Sequence, residues 1–380
     1  MNKNNRKTNL KKLIGRLHLW LGLVSGLIVF TVAFTGTLFV FCDETIDIFA
    51  GDAKYVTTKN TYSDKLSSDV LITKFKEQVK DRTPFYIDSY QDKNRSFRIA
   101  SMDKDKKAFA YTYMNPYTGE ILKTTQVYWF FYIVAHIHAE LLLHGLGKTL
   151  VGISTIIFFI QLLSGLILWW PKKWTKSTKA NAFTIKKGTK WRRKNYDYHN
   201  VFGFYALFPA LLITVTGLIM SYEILMSLTQ KTFGGSEEGI KLLKKYEPKY
   251  DATKNAVPFQ FIIDKNFQEN PSAKQMRISF YAKDSATTYY TQVGEYIGLK
   301  SRINGKSFFT DKYTGEKIKL PLKLEKHLNI EETNFDLHTG YWGGLLGKIL
   351  TFLVGLICTS LPITGFLIWY GRKYKKLKQV

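Results

Sequence analysis

The sequence predicts an integral-membrane α-helical protein: a four-helix transmembrane bundle from a parallel internal duplication, with two α+β domains outside the membrane. Three observations predict it. Four stretches are long and apolar enough to cross a bilayer. They recur as two pairs carrying the same small motifs. The excess positive charge of this 380-residue chain, +25 overall, gathers in three short segments.

The first span, residues 17–41, lies in RLHLWLGLVSGLIVFTVAFTGTLFVF. A histidine inside such a run is costly unless it has a job. The third span, 198–222, reads YHNVFGFYALFPALLITVTGLIMSY and repeats the spacing. His199 stands four residues before Gly203, as His18 stands four before Gly22. Thr216-Gly217 follows as Thr35-Gly36 does. The second and fourth spans, 146–170 and 345–370, share a second pattern. His138 and His338 each lie nine residues before a glycine, Gly147 and Gly347, and 27 before another, Gly165 and Gly365. One unit therefore reads inner histidine, span, outer domain, outer histidine, span. An even number of spans per unit inserts both copies in the same direction, with a pseudo-two-fold axis along the membrane normal.

Charge sets the expected topology. Residues 1–16 carry six Lys/Arg, Lys172–Lys194 carry ten and the tail after Tyr370 carries five, all without an acid. The long polar regions are nearly balanced. Basic short segments stay inside, so 1–16, 171–197 and 371–380 are read as cytoplasmic, facing anionic lipid rather than nucleic acid. Domains 42–126 and 223–322 lie outside, each followed by an interfacial segment, 127–145 and 323–344. No cleavable secretory signal is evident, so the first span is read as retained.

Within the first outer domain, Ser67–Asp81 has helical spacing, while Phe85–Tyr90, Ser96–Met102 and Ala108–Met114 alternate as strands do. The second follows more loosely, with a helix near Pro258–Asn266 and strands around 275–282 and Thr287–Val293. Each domain then reaches a Tyr-Thr-Gly-Glu turn, at Tyr117–Glu120 and Tyr313–Glu316. Two remote cysteines, Cys42 and Cys358, make neither a disulfide framework nor a haem-attachment motif.

The duplication yields the chemistry. Equivalent residues sit at one depth across the axis, so His18 faces His199 near the inner side and His138 faces His338 near the outer side. Two imidazoles from facing helices can ligate a haem iron axially, which predicts two non-covalent b-type haems. Gly36, Gly217, Gly165 and Gly365 fall near those depths, where small residues let a flat macrocycle lie between helices. Gly15, Gly22 and Gly203 are read likewise, although small residues in spans also serve close helix packing. His136 and His144, opposite Asp336 and Gly344 in the repeat, stand as alternative metal ligands. Arg16, Lys148 and Lys348 are propionate partners by depth alone. His327 is read as a surface residue. No zinc signature, phosphate loop or dinucleotide-binding motif occurs, so electrons must come from a partner or from quinol.

His18-Leu-Trp-Leu-Gly22, Pro116-Tyr-Thr-Gly-Glu120, the stretch from His138 to Leu146-Gly-Lys148, Ser164-Gly165, Trp169-Trp170-Pro171 and their second-half copies carry a resemblance. Over nearly its whole length the chain resembles the PepSY-associated transmembrane family, which includes iron-regulated membrane proteins and ferric-siderophore reductases. The resemblance implies two periplasmic PepSY-like domains and a multi-pass protein of the bacterial inner membrane. It also implies a di-haem oxidoreductase that passes electrons to periplasmic ferric siderophore or another Fe(III) chelate, releasing Fe(II) for iron uptake. A cytoplasmic flavin reductase or membrane quinol would be the donor. The chain departs from the family at His144, where glycine is usual, in its weaker second outer domain, and in lacking a flavin-binding extension. Two other readings compete: a non-redox PepSY membrane regulator or binding protein, and a siderophore transporter. Few charged positions lie within the spans, which weighs against transport.

Overall fold

The computed structural model describes residues 3–56, 64–105, 107–280, 286–299 and 301–377. Parts of three expected segments lie outside the described residues: 1–2 and 378–380 of the basic ends, and 281–282 of the strand expected at 275–282. In chain order the helices are α1 (Lys3–Phe39), α2 (Cys42–Ala50), α3 (Ser68–Gln78), α4 (Val127–Glu140), α5 (His144–Trp169), α6 (Lys176–Phe183), α7 (Trp191–Asp197), α8 (Gly203–Ser221), α9 (Glu223–Phe233), α10 (Phe259–Glu269), α11 (Leu322–Thr339) and α12 (Gly344–Leu377). The strands are β1 (Arg82–Tyr90), β2 (Phe97–Asp103), β3 (Phe109–Met114), β4 (Ile121–Thr125), β5 (Gln275–Ser279), β6 (Thr288–Gly294), β7 (Tyr296–Ile297), β8 (Arg302–Ile303) and β9 (Lys306–Asp311). They form two compact units.

The first unit holds Met1–Val40, Ile133–Phe233 and Asn329–Val380. Among the described residues, four stretches are helical, long and apolar enough to cross a membrane: Asn9–Phe39, His144–Trp169, Trp191–Ser221 and Tyr341–Lys373. In lipid every backbone N–H and C=O must be satisfied within the segment, which a helix does alone. Large apolar side chains point outward along these helices, among them Leu17, Val24, Leu27, Ile156, Ile160, Leu346 and Leu353. Such exposure would be unfavourable in water and is the ordinary condition of a lipid-facing surface. α1 packs on α12 and α5, and α8 packs on the same two helices. The bundle therefore closes as a ring with α1 diagonal to α8 and α5 diagonal to α12. Small side chains let the backbones approach: Ala206 and Ala210 sit in the core with Leu162, Leu207, Val354 and Cys358.

The second unit holds Phe41–Tyr132 and Gly234–Leu328. The two α+β domains expected at 42–126 and 223–322 share one sheet. Seven strands from residues 82–125 and 275–311 form one antiparallel sheet in the order β4-β3-β2-β1-β5-β6-β9. The seam is β1 against β5, from Tyr86 opposite Ser279 to Tyr90 opposite Gln275. Apart, each would be an edge strand with a row of unpaired backbone groups; together they close both edges. Helices α3 and α10 cover one face around a core of Leu71, Phe75, Ile87, Ile99, Ile262, Met276 and Ile278. Across the seam runs a buried ion network, with the Asp88 carboxylate accepting from Arg98 Nε (2.7 Å) and Arg277 Nε (2.8 Å).

The two Tyr-Thr-Gly-Glu turns share one geometry. Gly119 N–H donates to Asn115 O (2.8 Å) and Gly315 N–H to Asp311 O (2.9 Å). An Asx side chain caps each turn, accepting from Tyr117 N–H (2.9 Å) or Tyr313 N–H (2.6 Å). Both glycines have positive φ, +75° and +70°, which other residues adopt only at a cost. His327 is corrected as well: it is 6% exposed, and its Nδ1–H donates to Ser236 O (2.7 Å).

Candidate functional site

The bundle brings four histidines into two facing pairs. His18, on α1, lies across from His199, in the turn leading to α8, with ring centres 6.4 Å apart and planes at 85°. His138, near the end of α4, lies across from His338, near the end of α11, at 6.0 Å and 63°. Each pair joins diagonal partners of the ring: α1 with α8, and the segments entering α5 and α12.

The hydrogen bonds on Nδ1 decide which nitrogen each ring offers. His138 Nδ1–H donates to Val32 O (2.9 Å) and His338 Nδ1–H to Ile213 O (2.9 Å), with Thr216 Oγ1 also at 3.1 Å. A carbonyl only accepts, so Nδ1 carries the proton in both. His18 Nδ1 lies 2.9 Å from Ser164 Oγ, and His199 Nδ1 2.9 Å from Thr364 Oγ1. Those hydroxyls give their one proton to backbone carbonyls, Ser164 to Gln161 O (3.2 Å) and Thr364 to Ser360 O (2.9 Å). With the proton given there, each hydroxyl oxygen accepts from its imidazole, and the Leu361 main chain is a further partner of His199. All four rings are held with Nδ1–H engaged and the Nε2 lone pair free, the state of a ligating neutral histidine.

His199 sits in a π-helical turn, Tyr198–Phe202, while His18 sits in regular helix. The extra residue in a π turn rotates the side chains that follow. The turn is anchored by Asp197, fully buried, which pairs with Arg193 Nε (2.9 Å) and accepts from Lys186 N–H (3.2 Å). Asn195 Nδ2 donates to Thr364 O (3.0 Å), tying the turn to α12 beside the hydroxyl that holds His199.

The glycines divide into two groups. A Cβ on Gly36 would lie 2.8 Å from His138 Cε1, and one on Gly217 3.1 Å from His338 Cε1. The corresponding distances are 3.5 Å for Gly165 to His18 and 3.3 Å for Gly365 to His199. These four make room for the imidazole edges themselves. Gly22, Gly203 and Gly15 instead face Gln161, Leu361 and Leu168. We expect Gly36→Ala to displace His138 and weaken the His138/His338 pair, while Gly165→Ala leaves the His18/His199 pair nearly intact. Haem content per chain in the two purified variants checks this; equal losses would refute it.

His136 and His144 are placed elsewhere. His136 Nδ1 is bonded to Glu140 Oε1 (2.6 Å), and His144, 91% exposed at its side chain, lies 3.8 Å from the same oxygen. On a helix His136 is turned about 200° from His138, so His338 meets His138. Lys148 and Arg16 are exposed, and Lys348 is buried with its ammonium over the Tyr341 ring.

The donor set fits haem. Among the described residues no three His, Cys, Asp or Glu side chains converge on a metal position, so a bare ion needing four protein ligands is not served. A macrocycle supplies four in-plane nitrogens and asks the protein for two axial ones. Metal–imidazole bonds of about 2 Å on either side of one atom set the ring centres about 6 Å apart. Both pairs stand at that separation.

Reading the sequence missed the Nδ1 acceptors. Ser164 and Thr364 stood in view as repeated Ser/Thr-Gly pairs, but their roles toward the histidines did not. The Val32 and Ile213 carbonyls leave no mark in a sequence at all.

Fold and site define a multi-pass membrane protein whose bundle carries two facing histidine pairs. Residues 15–372 match the model of the PepSY-associated TM region. The chain belongs to that family. A search of curated proteins finds no match to it.

Proposed function

We propose that the protein is a di-haem membrane reductase that carries electrons to Fe(III) chelates outside the cell membrane, releasing Fe(II) for uptake. The observation that carries this reading is the pair of diagonal bis-histidine arrangements with all four Nδ1–H groups engaged. His18 and His199 would hold the inner haem, His138 and His338 the outer one. Bound there, haem supplies one-electron carriers at two depths. The chain's own part is to fix the four rings, to shape the pockets with glycine, and to keep the apolar bundle around them dry. Reducing one ferric ion takes one electron, drawn from a cytoplasmic flavin reductase or from membrane quinol. Fe(II) then leaves, because the hard oxygen donors of such chelates favour Fe(III).

The basic segments support an inner-membrane protein with both termini and residues 171–197 in the cytoplasm. Regions 42–126 and 223–322 are then periplasmic, and we read them as two PepSY-like halves of one sheet. Contacts in one half of the chain have counterparts in the other: His18–Ser164 with His199–Thr364, and His138–Val32 with His338–Ile213. These support a parallel duplication.

Optical spectra of the purified protein, oxidised and then reduced with dithionite, test the reading. A low-spin b-type spectrum with about two haems per chain is expected, followed by reoxidation on adding ferric chelates. A colourless protein from haem-replete cells would favour the regulator reading. Uptake of intact chelate by proteoliposomes without reductant would favour transport.

A further inference from the structure

In the sheet unit the helix-covered face does not close completely. A cavity of about 340 Å³ opens beside the core, between α3, α10 and the connection from β1 to β2. Its walls come from both halves of the chain and are tied to each other. Ser68 Oγ donates to Gln260 Oε1 (3.0 Å), and Asp69 Oδ1 accepts from Phe259 N–H (2.9 Å). The cavity exists because β1 and β5 bring the two halves into one sheet.

Two kinds of surface meet in it. The floor is apolar: Leu71, Phe97 and Ile263 reach it from the core, with Leu66 and Phe267 packed against them. At the β1–β2 connection the lining is cationic, with Lys65, Lys93 and Arg95. Among the described residues none of these three is ion-paired. The lining also holds two carboxylates, Asp64 and Asp264, and Asp264 already accepts from Gln260 Nε2 (2.7 Å).

Two of the cations are held in place. Lys65 Nζ donates to Tyr90 O (3.0 Å) and Asp92 O (2.7 Å), which leaves one ammonium donor over. The Arg95 guanidinium lies over the Tyr90 ring at 4.4 Å and the Tyr55 ring at 5.2 Å. Such stacking fixes a guanidinium and still leaves N–H groups for a carboxylate. Burial, opposed by Asp92, and the neighbouring Lys93 charge hold the Lys65 ammonium below its ordinary value. Like charges crowd at this end, and a bound anion would relieve them.

We propose that this cavity is a binding site for a small amphipathic organic anion, an aryl or short-chain carboxylate. Its apolar body lies on the floor, and its carboxylate meets Arg95 and Lys93. An apolar lining with a few placed charges is the common form of a small-molecule site. An inorganic anion would leave the floor uncovered, and a neutral aromatic would leave the cations unpaired. The occupant bridges α3 and α10, one from each half of the sheet.

Equilibrium dialysis of labelled salicylate and of hexanoate against the purified full-length protein tests the proposal. Saturable binding is expected, weakened about tenfold in Arg95→Gln, where a charge-assisted contact is lost. Lys93→Gln, at an exposed side chain, should weaken it to a smaller degree and is read alone if Arg95→Gln does not fold. Salicylamide, similar in shape but neutral, and sulfate, charged but without an apolar body, should each bind about tenfold more weakly than salicylate or worse. No saturable binding of either carboxylate, binding unchanged in both variants, or equal binding of salicylamide or sulfate would overturn the proposal. Each of those results leaves the reductase reading untouched, because the cavity contains none of the four paired histidines.

Discussion

On the proposed di-haem reading, replacing His138 with alanine is expected to remove one haem and leave the other, so that content falls from about two per chain to about one. The retained spectrum should be that of the His18/His199 site. The size of the effect follows from the proposed role: without His138, that site would keep only the His338 nitrogen to hold a haem iron. His136→Ala is the matched control, since His136 is bonded to Glu140 four residues along the same helix. It should leave both haems in place. Should His138→Ala retain both and His136→Ala lose one, the outer ligand would be His136 and the pairing at 6.0 Å would have no functional meaning.

The second large effect is expected in the sheet. Arg277→Ala should destabilise the sheet unit by about 3–5 kcal/mol, because it strips one of two guanidinium partners from a fully buried carboxylate. Asp88 also accepts from Gln275 Nε2 (3.1 Å), and Arg277 reaches the Gly298 carbonyl (2.7 Å), so the loss unties β1, β5 and the segment after β7 together. The near-ultraviolet signal of Tyr86 and Tyr111, whose hydroxyls are hydrogen-bonded to each other, reports this unfolding. A change under 1 kcal/mol would show that the network contributes register rather than stability.

The same network gives a sign for pH. Burial pushes the Asp88 carboxyl up, but Arg277 and then Arg98, by charge and by hydrogen bond, more than offset it and hold the group below its ordinary value. A carboxyl depressed in the folded state contributes stability above its unfolded value, about pH 4, and loses it as pH falls through the folded value. Denaturant midpoints measured from neutral to acid pH should therefore fall below about pH 4 in wild type. In Asp88→Asn that segment of the dependence should flatten.

What the sequence determined by itself is what depends on local composition and spacing. Uninterrupted apolar runs fix the spans, because a bilayer leaves a helix as the only self-satisfied backbone. Equal spacings of His18 and His199, and of His138 and His338, marked four histidines out of seven before any contact was visible. Tyr-Thr-Gly-Glu marked two turns because only glycine takes their positive φ without strain.

The tertiary structure alone decided matters between residues far apart. Strand edges carry no label for their partner, so the sequence offered two α+β domains where β1 and β5 join their strands into one sheet. His327 is buried against a neighbour 91 residues away, Ser236. The acceptors behind the four imidazoles are of the same kind. His138 meets a main-chain carbonyl and His18 a hydroxyl, while His199 and His338 each have a main-chain and a hydroxyl partner. A repeat can show that a histidine recurs, but what holds its ring is a property of the packed bundle.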